Sequence, residues 1–527
     1  MSLARRLGLA ALSGILLAAS FPKPGLSALA FVALIPLLFA LRGASGRAGY
    51  LCGHIAGTVQ GAFLLSWTGD VVVRFGGAPI PLAVLLVLVL AFAFGVFLGA
   101  FGWLQARAER GFGDTALLLS PFFFVTCEFL REHLLFGFPW CLLGYSQVEF
   151  PELIQISTFT AVHGVSFLVA SVAAGIAYAL AAKTRAERRF GLTLPAALTS
   201  LALAYGHARV QRPIDSTGAL TVGVVQASIP QDQKWESSLL NANIDRHIEL
   251  SRRAIERGAN LVVWPESAVA YELDQYPEVR KQLSELLSPT GAYLLTGNDD
   301  RERDGQGVMR SYVGAKLISP EGKIAMRYRK MRLVPFGEYL PLQPILRYLP
   351  VRRLVESVSD FTPGTRAESA RVFGITVGAF ICYEAIFPSL VRRFPANGAE
   401  VLINVTNDGW YGTSAAPYQH YAMARFRAVE NRRFLIRAAN TGISAIVDPY
   451  GREIERSELM ERIALVGEVR SVAEKTFYAR FGDVFAWSIT AATVILSLAA
   501  ALRRSSPSNR LPSADTPSAE SLTRHEN

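Results

Sequence analysis

Charge is scarce in this chain. Asp, Glu, Lys and Arg make up 18% of its 527 residues, against 51% hydrophobic residues. An ordinary soluble domain does not have that balance. Cysteine is rare too: Cys52, Cys127, Cys141 and Cys382 show no pairing pattern, which excludes a disulfide framework. The seven histidines form no His-x-x-x-His or similar ligand spacing, so neither a metal nor a cofactor is expected. Basic residues outnumber acidic ones, giving a formal charge of +10, yet no nucleic-acid-binding motif accompanies them. Many of them sit in short loops between apolar runs, so no nucleic-acid partner is expected.

In place of charge the chain has apolar length. Apolar residues dominate 7–206 and return at 485–502, while 207–480 reads as a soluble α/β domain. A hydrocarbon core of about 30 Å needs roughly 20 apolar residues per helix. Candidate spans lie at 1–21, 26–41, 48–68, 79–105, 115–134, 153–182, 192–206 and 485–502. The first resembles a signal peptide, with Arg5 and Arg6 leading and Ala18-Ala19-Ser20 mimicking a cleavage site. Further spans follow at once, which favours an uncleaved first helix.

Loop charge gives the expected sidedness. One set of loops holds Arg5, Arg6, Arg42, Arg47, Arg107, Arg110, Lys183, Arg185, Arg188, Arg189, Arg503 and Arg504. The opposite set holds little beyond Lys23, Arg74 and Arg131. By the positive-inside rule the first set is cytoplasmic. The expected organisation is a seven-helix bundle (1–206), an external domain (207–480), a returning helix (481–503) and a disordered tail (504–527). Near the outer face, Glu128, Arg131, Glu132 and His133 precede Phe136-Gly-Phe-Pro-Trp140 and Gly144-Tyr-Ser-Gln147. Trp140 and Tyr145 read either as interfacial anchors or as the lining of a passage for lipid headgroups.

Within 207–480, strands expected at 220–226, 260–264, 292–298, 311–319, 401–406, 435–447 and 463–468 alternate with helices at 239–257, 277–287, 385–396 and 417–432. That alternation is a layered α/β pattern. The apolar run Val372 to Pro388 reads as one more buried strand, with Cys382 and Glu384 at its end. A second strand, Leu261-Val-Val-Trp264, is stopped by Pro265 and followed by Glu266. A third segment, Tyr328-Arg-Lys330 to Phe336-Gly-Glu338, places Lys330 before an apolar stretch. A thiol becomes a good nucleophile when a base takes its proton or a cation lowers its pKa. Glu266 supplies a base and Lys330 a cation that could also stabilise an oxyanion. The arginines at 425, 427, 432, 433 and 437 read as helix surface and ion pairing, outside the active site.

In chain order, Trp-Pro-Glu266-Ser, Lys330-x-x-Leu-Val-Pro-Phe-Gly-Glu338 and Ile-Cys382-Tyr-Glu384 resemble the Glu–Lys–Cys signature of the nitrilase superfamily. With the membrane layout, the 144–147 and 136–140 motifs, Ile-Pro-Gln…Lys-Trp235 and Thr406-Asn-Asp-Gly-Trp-Tyr-Gly412, the chain resembles the apolipoprotein N-acyltransferase family. That resemblance implies a membrane α-helical bundle of about eight transmembrane helices joined to an αββα sandwich. It implies Glu266 as general base, Lys330 as oxyanion-stabilising cation and Cys382 as nucleophile. Glu338, Tyr383 and Glu384 match further positions of the family's site, and Trp235, Trp410 and Tyr411 match aromatics near the substrate entrance. Tyr411 stands where Phe is the common form. The implied partners are a phospholipid acyl donor and a diacylated apolipoprotein acceptor, handled by a monomer in the bacterial inner membrane. A membrane-tethered amidase acting on a small amide is the alternative enzyme, and a transporter or lipid-binding protein whose soluble domain only recognises cargo is the alternative of another class. The proline-broken apolar stretch Leu340–Pro350 reads as a membrane-facing lid over the thioester.

Overall fold

The computed structural model describes residues 1–134, 137–270, 272–341 and 360–505. The proposed lid, from Leu342 onward, and the tail beyond Ser505 lie outside them.

Each apolar run read from the sequence contains helix. In order come α1 (Leu3–Ala19), a broken helical stretch over 27–41, α2 (Gly46–Leu64), α3 (Ile80–Phe112), α4 (Ala116–His133), α5 (Val162–Ala181) and α6 (Arg185–Val210). The run at 153–182 differs from expectation. Two single turns precede α5, and Ala161, at φ 53°, interrupts the helix. Among the described residues, Ile80–His133, Val162–Ala181 and Val484–Arg503 are long and apolar enough to cross a membrane. Their outer faces leave large apolar side chains uncovered, including Val89, Phe92 and Ile495. Water would not tolerate that much exposed apolar surface, so this is a membrane protein.

A glycine seam brings α2 against α3. Gly49, Gly53, Gly57 and Gly61 recur every fourth residue and face Gly95, Gly99 and Gly102. A Cβ on Gly53 would lie 2.0 Å from the Leu98 carbonyl oxygen, so only glycine permits this backbone approach.

The second part is two stacked sheets. Strands β1 (Ala219–Gln226), β2 (Leu261–Val263) and β3 (Tyr293–Gly297) are parallel, with α7 (Leu240–Glu256) and α8 (Pro277–Leu287) between them in sequence. A side hairpin, β4 (Asp300–Arg303) and β5 (Met309–Tyr312), leads to β6 (Gly314–Ile318) and β7 (Ile324–Arg329). The second sheet holds β8 (Ser369–Val372), β9 (Ile375–Ile381), β10 (Val401–Thr406), β11 (Phe434–Ala439), β12 (Ala445–Val447) and β13 (Glu453–Arg456). Between β10 and β11 runs α9 (Ala416–Asn431); β14 (Ile463–Arg470) and then α10 (Val484–Ser505) close the chain. The strand orders are β14-β1-β2-β3-β6-β7 and β13-β12-β11-β10-β9-β8. Val222 and Val224 of one sheet share a core with Val377, Ala379, Leu402 and Ile436 of the other. On the outside of the first sheet, Val262 and Leu294 pack on Ile244, Leu250 and Leu283. This is the αββα arrangement.

The parallel strands β9, β10 and β11 are buried on both faces, which explains their nearly continuous apolar sequence. The run from Val372 is not one strand, however. Phe373 and Gly374, both at positive φ, turn the chain in a hairpin between β8 and β9. The five arginines do not form a surface, since none is more than 6% exposed, but four of them make the expected ion pairs. Helix α9 lies between the second sheet and the membrane helices, so both its faces are covered. Arg427 is held by Glu430 at 3.0 Å and donates to the Tyr145 hydroxyl at 2.7 Å. Arg433 donates to the Ala399 carbonyl at 2.8 Å.

Trp140 and Tyr145 are likewise not interfacial anchors. Both are buried at the junction, and Trp140 Nε1 donates to Gln419 Oε1 at 2.8 Å. Glu128 accepts from Leu143 N at 2.6 Å, and Arg131 donates to the Trp140 carbonyl at 3.2 Å. Glu132 pairs with His163 and accepts from Ser389 Oγ at 3.1 Å. These charges fasten α4 to the neighbouring loop and to the sheet domain instead of lining an open passage.

Candidate active site

The carboxyl ends of parallel strands converge where the two sheets meet, and such ends are where open α/β sheets place ligands. Cys382 follows β9 directly. Its φ of 47° is left-handed, which costs a side-chain-bearing residue about 1–3 kcal/mol. Two groups hold it there. His420 Nε2 lies 3.1 Å from the Cys382 carbonyl oxygen, and Ile381 N donates to Glu384 Oε2 at 2.7 Å.

Glu266 arrives at the end of β2, after Pro265. Gly297 of β3 lets that turn approach, because a Cβ there would lie 2.4 Å from Ser267 N and 2.5 Å from Glu266 Cα. Glu266 Oε2 accepts from Asn407 N at 2.9 Å, and Oε1 sits 3.3 Å from Lys330 Nζ. Lys330 follows β7 and is fully buried. Its ammonium also meets Glu338 Oε1 at 2.5 Å, while Glu338 Oε2 accepts from Val334 N at 2.9 Å.

Burial works against the Lys330 charge, but Glu338 and Glu266 outweigh it and hold the ammonium well above its ordinary pKa. Burial and the Glu266 charge push the Cys382 thiol up, and Lys330 opposes them. So Glu266, Lys330, Glu338 and Cys382 form one electrostatic unit. It contains a thiol, a carboxylate and a buried ammonium, the three groups that a nucleophile, a general base and an oxyanion donor would require.

The remaining predicted residues divide into two groups. Glu384 is fully buried. It accepts from Tyr328 Oη at 2.7 Å, Met331 N at 2.6 Å, Arg332 N at 3.1 Å and Ile381 N at 2.7 Å. It therefore ties the residue before Cys382 to the two after Lys330. Burial pushes its carboxyl up to about 7 despite those donors. Tyr383 is buried and packs on Phe387 and Phe138. Trp235 is 47% and Trp410 42% exposed. Trp410 meets Phe75 of the helical part at 4.9 Å, and Tyr411 meets Trp67 at 4.7 Å. These contacts pack the segment after β10 against the helical part.

Sequence reasoning missed the support beneath Cys382. His420 Nδ1 lies 2.9 Å from Asp408 Oδ1, and Arg437 Nη2 donates to Asp408 Oδ2 at 2.8 Å. Although burial opposes it, the Arg437 and His420 charges draw the Asp408 carboxyl down to about 2. Asp408 lies inside the quoted Asn-Asp-Gly-Trp motif, which was a usable signal; His420 and Arg437 carry none. Among the described residues, Glu272, Asp274 and Asp300 have metal-like spacing. Arg327 and Arg329 already engage two of them, Asp274 at 2.7 Å and Asp300 at 2.7 Å.

Comparison with known proteins agrees with this geometry. The carbon-nitrogen hydrolase family profile matches residues 221–474, and the profile described as the apolipoprotein N-acyltransferase N-terminal domain matches 13–175. A protein of Geobacter metallireducens named apolipoprotein N-acyltransferase is 36% identical over 94% of this chain and 95% of its own length. One of the same name from Methylococcus capsulatus is 33% identical over 94% and 97%. A third, from Brucella melitensis, is 36% identical over 74% and 73%. With the nitrilase-like sheets, the apolar helices and these relatives, the chain belongs to the apolipoprotein N-acyltransferase family.

Proposed function

We propose that the protein moves an acyl chain from a phospholipid, through a thioester on Cys382, to the α-amino group of a diacylglyceryl-cysteine at the N-terminus of an apolipoprotein. The donor is phosphatidylethanolamine, cleaved at sn-1. Glu266 takes the Cys382 proton as sulfur attacks the ester carbonyl. Lys330 and a main-chain N–H beyond Cys382 stabilise the oxyanion. Collapse expels the lyso-lipid oxygen, which takes the proton back from Glu266. In the second half the acceptor amine attacks the thioester, Glu266 receives its proton, and the sulfur leaves to regain one. Glu338 orients Lys330, while Trp235, Trp410 and Tyr411 contact the lipids at the mouth.

A thioester is reactive enough to acylate an amine, and chains that stay in the bilayer present both substrates at high effective concentration. Water must be kept out, or the enzyme would act as a phospholipase. The proposed setting is the bacterial inner membrane, with eight crossings, residues 207–480 on the periplasmic side, and a monomeric chain. The observation that carries the reading is the buried Lys330 ammonium held between Glu266 and Glu338, with the Glu266 and Lys330 charges both acting on the Cys382 thiol. The test supplies purified protein with phosphatidylethanolamine and a synthetic diacylated lipopeptide. The lipopeptide should gain the mass of one acyl chain, and Cys382→Ala should abolish the gain. Transfer that survives that substitution would end the reading.

A further inference from the structure

A second lysine reaches the site, and the mechanism above gives it no part. Beyond β1 the chain makes one helical turn, in which Gln233 N and Lys234 N both donate to the Pro230 carbonyl at 3.1 Å. Residues three apart on such a turn share a face. On that face Gln231 Oε1 accepts from Asn407 Nδ2 at 2.8 Å, and Lys234 Nζ donates to the Glu266 main-chain oxygen at 2.7 Å. Lys234 is 4% exposed, while the next residue, Trp235, is 47% exposed. The ammonium lies 5.9 Å from the Trp235 ring centre.

Burying an ammonium against one neutral oxygen is costly unless opposite charge lies nearby. Here the charges acting on it are those of Glu266, Asp299 and Cys382. Asp299 is itself short of partners, with Oδ1 buried and unbonded. Three carboxylates (Glu266, Glu338 and Asp299) therefore act around two ammonium groups, Lys330 and Lys234. When the Cys382 proton passes to Glu266, the sulfur takes over the negative charge that Glu266 gives up. Lys234 neither gains nor loses a proton in that step. Without its charge, the thiolate would form in a site more negative by one.

We propose that Lys234 is a positioning residue of the acyl-transfer site: it pins the main chain of Glu266 to the loop that carries Trp235, and its charge supports the Cys382 thiolate. The loop at the substrate mouth and the general base then move as one unit. This inference rests on the roles given to Glu266 and Cys382 above. The buried environment draws the Lys234 ammonium down to about 8, so its support weakens in alkaline solution.

The test uses the full-length protein in detergent and three substitutions. Lys234→Arg keeps the charge and the donor, Lys234→Gln keeps a donor only, and Lys234→Met keeps neither. Two measurements are made: the rate at which iodoacetamide alkylates Cys382 between pH 6 and 9, and acyl transfer to a diacylated lipopeptide. Alkylation of Cys382→Ala protein gives the background from the other cysteines. At pH 7, Lys234→Met should react at least tenfold more slowly, with its pH profile displaced upward, and Lys234→Gln should fall between it and wild type. Lys234→Arg should stay within threefold. Transfer should lose kcat while KM for the lipid donor stays constant. If Lys234→Met does not fold, the order of Arg over Gln decides the matter. Unchanged alkylation profiles in the Gln and Met variants would overturn the proposal, as would equal losses in Arg and Gln. Wild-type protein that forms no acyl adduct on Cys382 would instead indict the catalytic reading itself.

Discussion

Removing the Glu384 side chain should break the alignment of the nucleophile and the cation without touching substrate. In Glu384→Ala, four donors lose their acceptor: Tyr328 Oη, Met331 N, Arg332 N and Ile381 N. A buried donor left unsatisfied costs about 1–3 kcal/mol. Water entering the vacated space would recover part of that, so about 1 kcal/mol per donor remains, or ~4 kcal/mol together. If half of it falls on the geometry of the transition state, ~2 kcal/mol corresponds to about 30-fold in kcat. The rest should lower the thermal unfolding temperature. Because the carboxylate is wholly buried, KM for the phospholipid should not change. The assay is acyl transfer to a fluorescent diacylated lipopeptide at several donor concentrations, alongside thermal unfolding in the same detergent. A variant within threefold of wild type in kcat would refute the role given to these hydrogen bonds. So would one whose KM rises while kcat holds, since that would make Glu384 a substrate contact.

Two further outcomes follow from the same structure. Asp408→Asn leaves Arg437 buried without its counter-charge, which should cost about 3 kcal/mol at pH 7 and loosen the Cys382 turn. The Asp408 carboxyl is drawn down to about 2 in the fold, below its ordinary 3.8. Its contribution is therefore complete above pH 4 and fades as the pH falls toward 2, and the gap between variant and wild type should close over that window. Acid unfolding followed by tryptophan fluorescence checks this. On the membrane side, Gly53→Ala puts a methyl group where the Leu98 carbonyl already lies, so α2 and α3 must separate. The expected cost is about 1–3 kcal/mol, read as a lower unfolding temperature in detergent, whereas Gly8→Ala, which meets nothing, should be silent.

The sequence made legible what is local. Glu266 and Cys382 each stand at the end of an apolar strand, but Lys330 follows a mixed one; the Glu–Lys–Cys resemblance singled out the three together, and the fold sets Lys330 Nζ 3.3 Å from Glu266. Apolar length likewise marked the long helices of the bundle, though not the short charged helix Trp67–Arg74, and the two-sided burial of β9, β10 and β11 marked the second sheet. What stayed hidden depends on partners far along the chain. Arg437 looked like one more basic residue in an arginine-rich stretch, and only the packing of β11 beside β10 brings it to Asp408. Trp140 and Tyr145 looked like interfacial aromatics, because nothing local shows that α9 covers them. The Phe373–Gly374 turn was a visible signal inside an apolar run, and it was outweighed by the hydrophobicity around it. The four-residue spacing of Gly49, Gly53, Gly57 and Gly61 was equally visible, but its meaning needs the facing helix.

The central claim is that Cys382 carries the acyl chain between donor and acceptor. Protein incubated with phosphatidylethanolamine bearing a deuterated sn-1 chain, with no acceptor present, should show one deuterated acyl group in intact-mass analysis. Peptide mapping should place it on Cys382, and adding a diacylated lipopeptide should discharge it in step with the appearance of triacylated product. A protein that acylates the lipopeptide while Cys382 stays unmodified throughout would contradict the account.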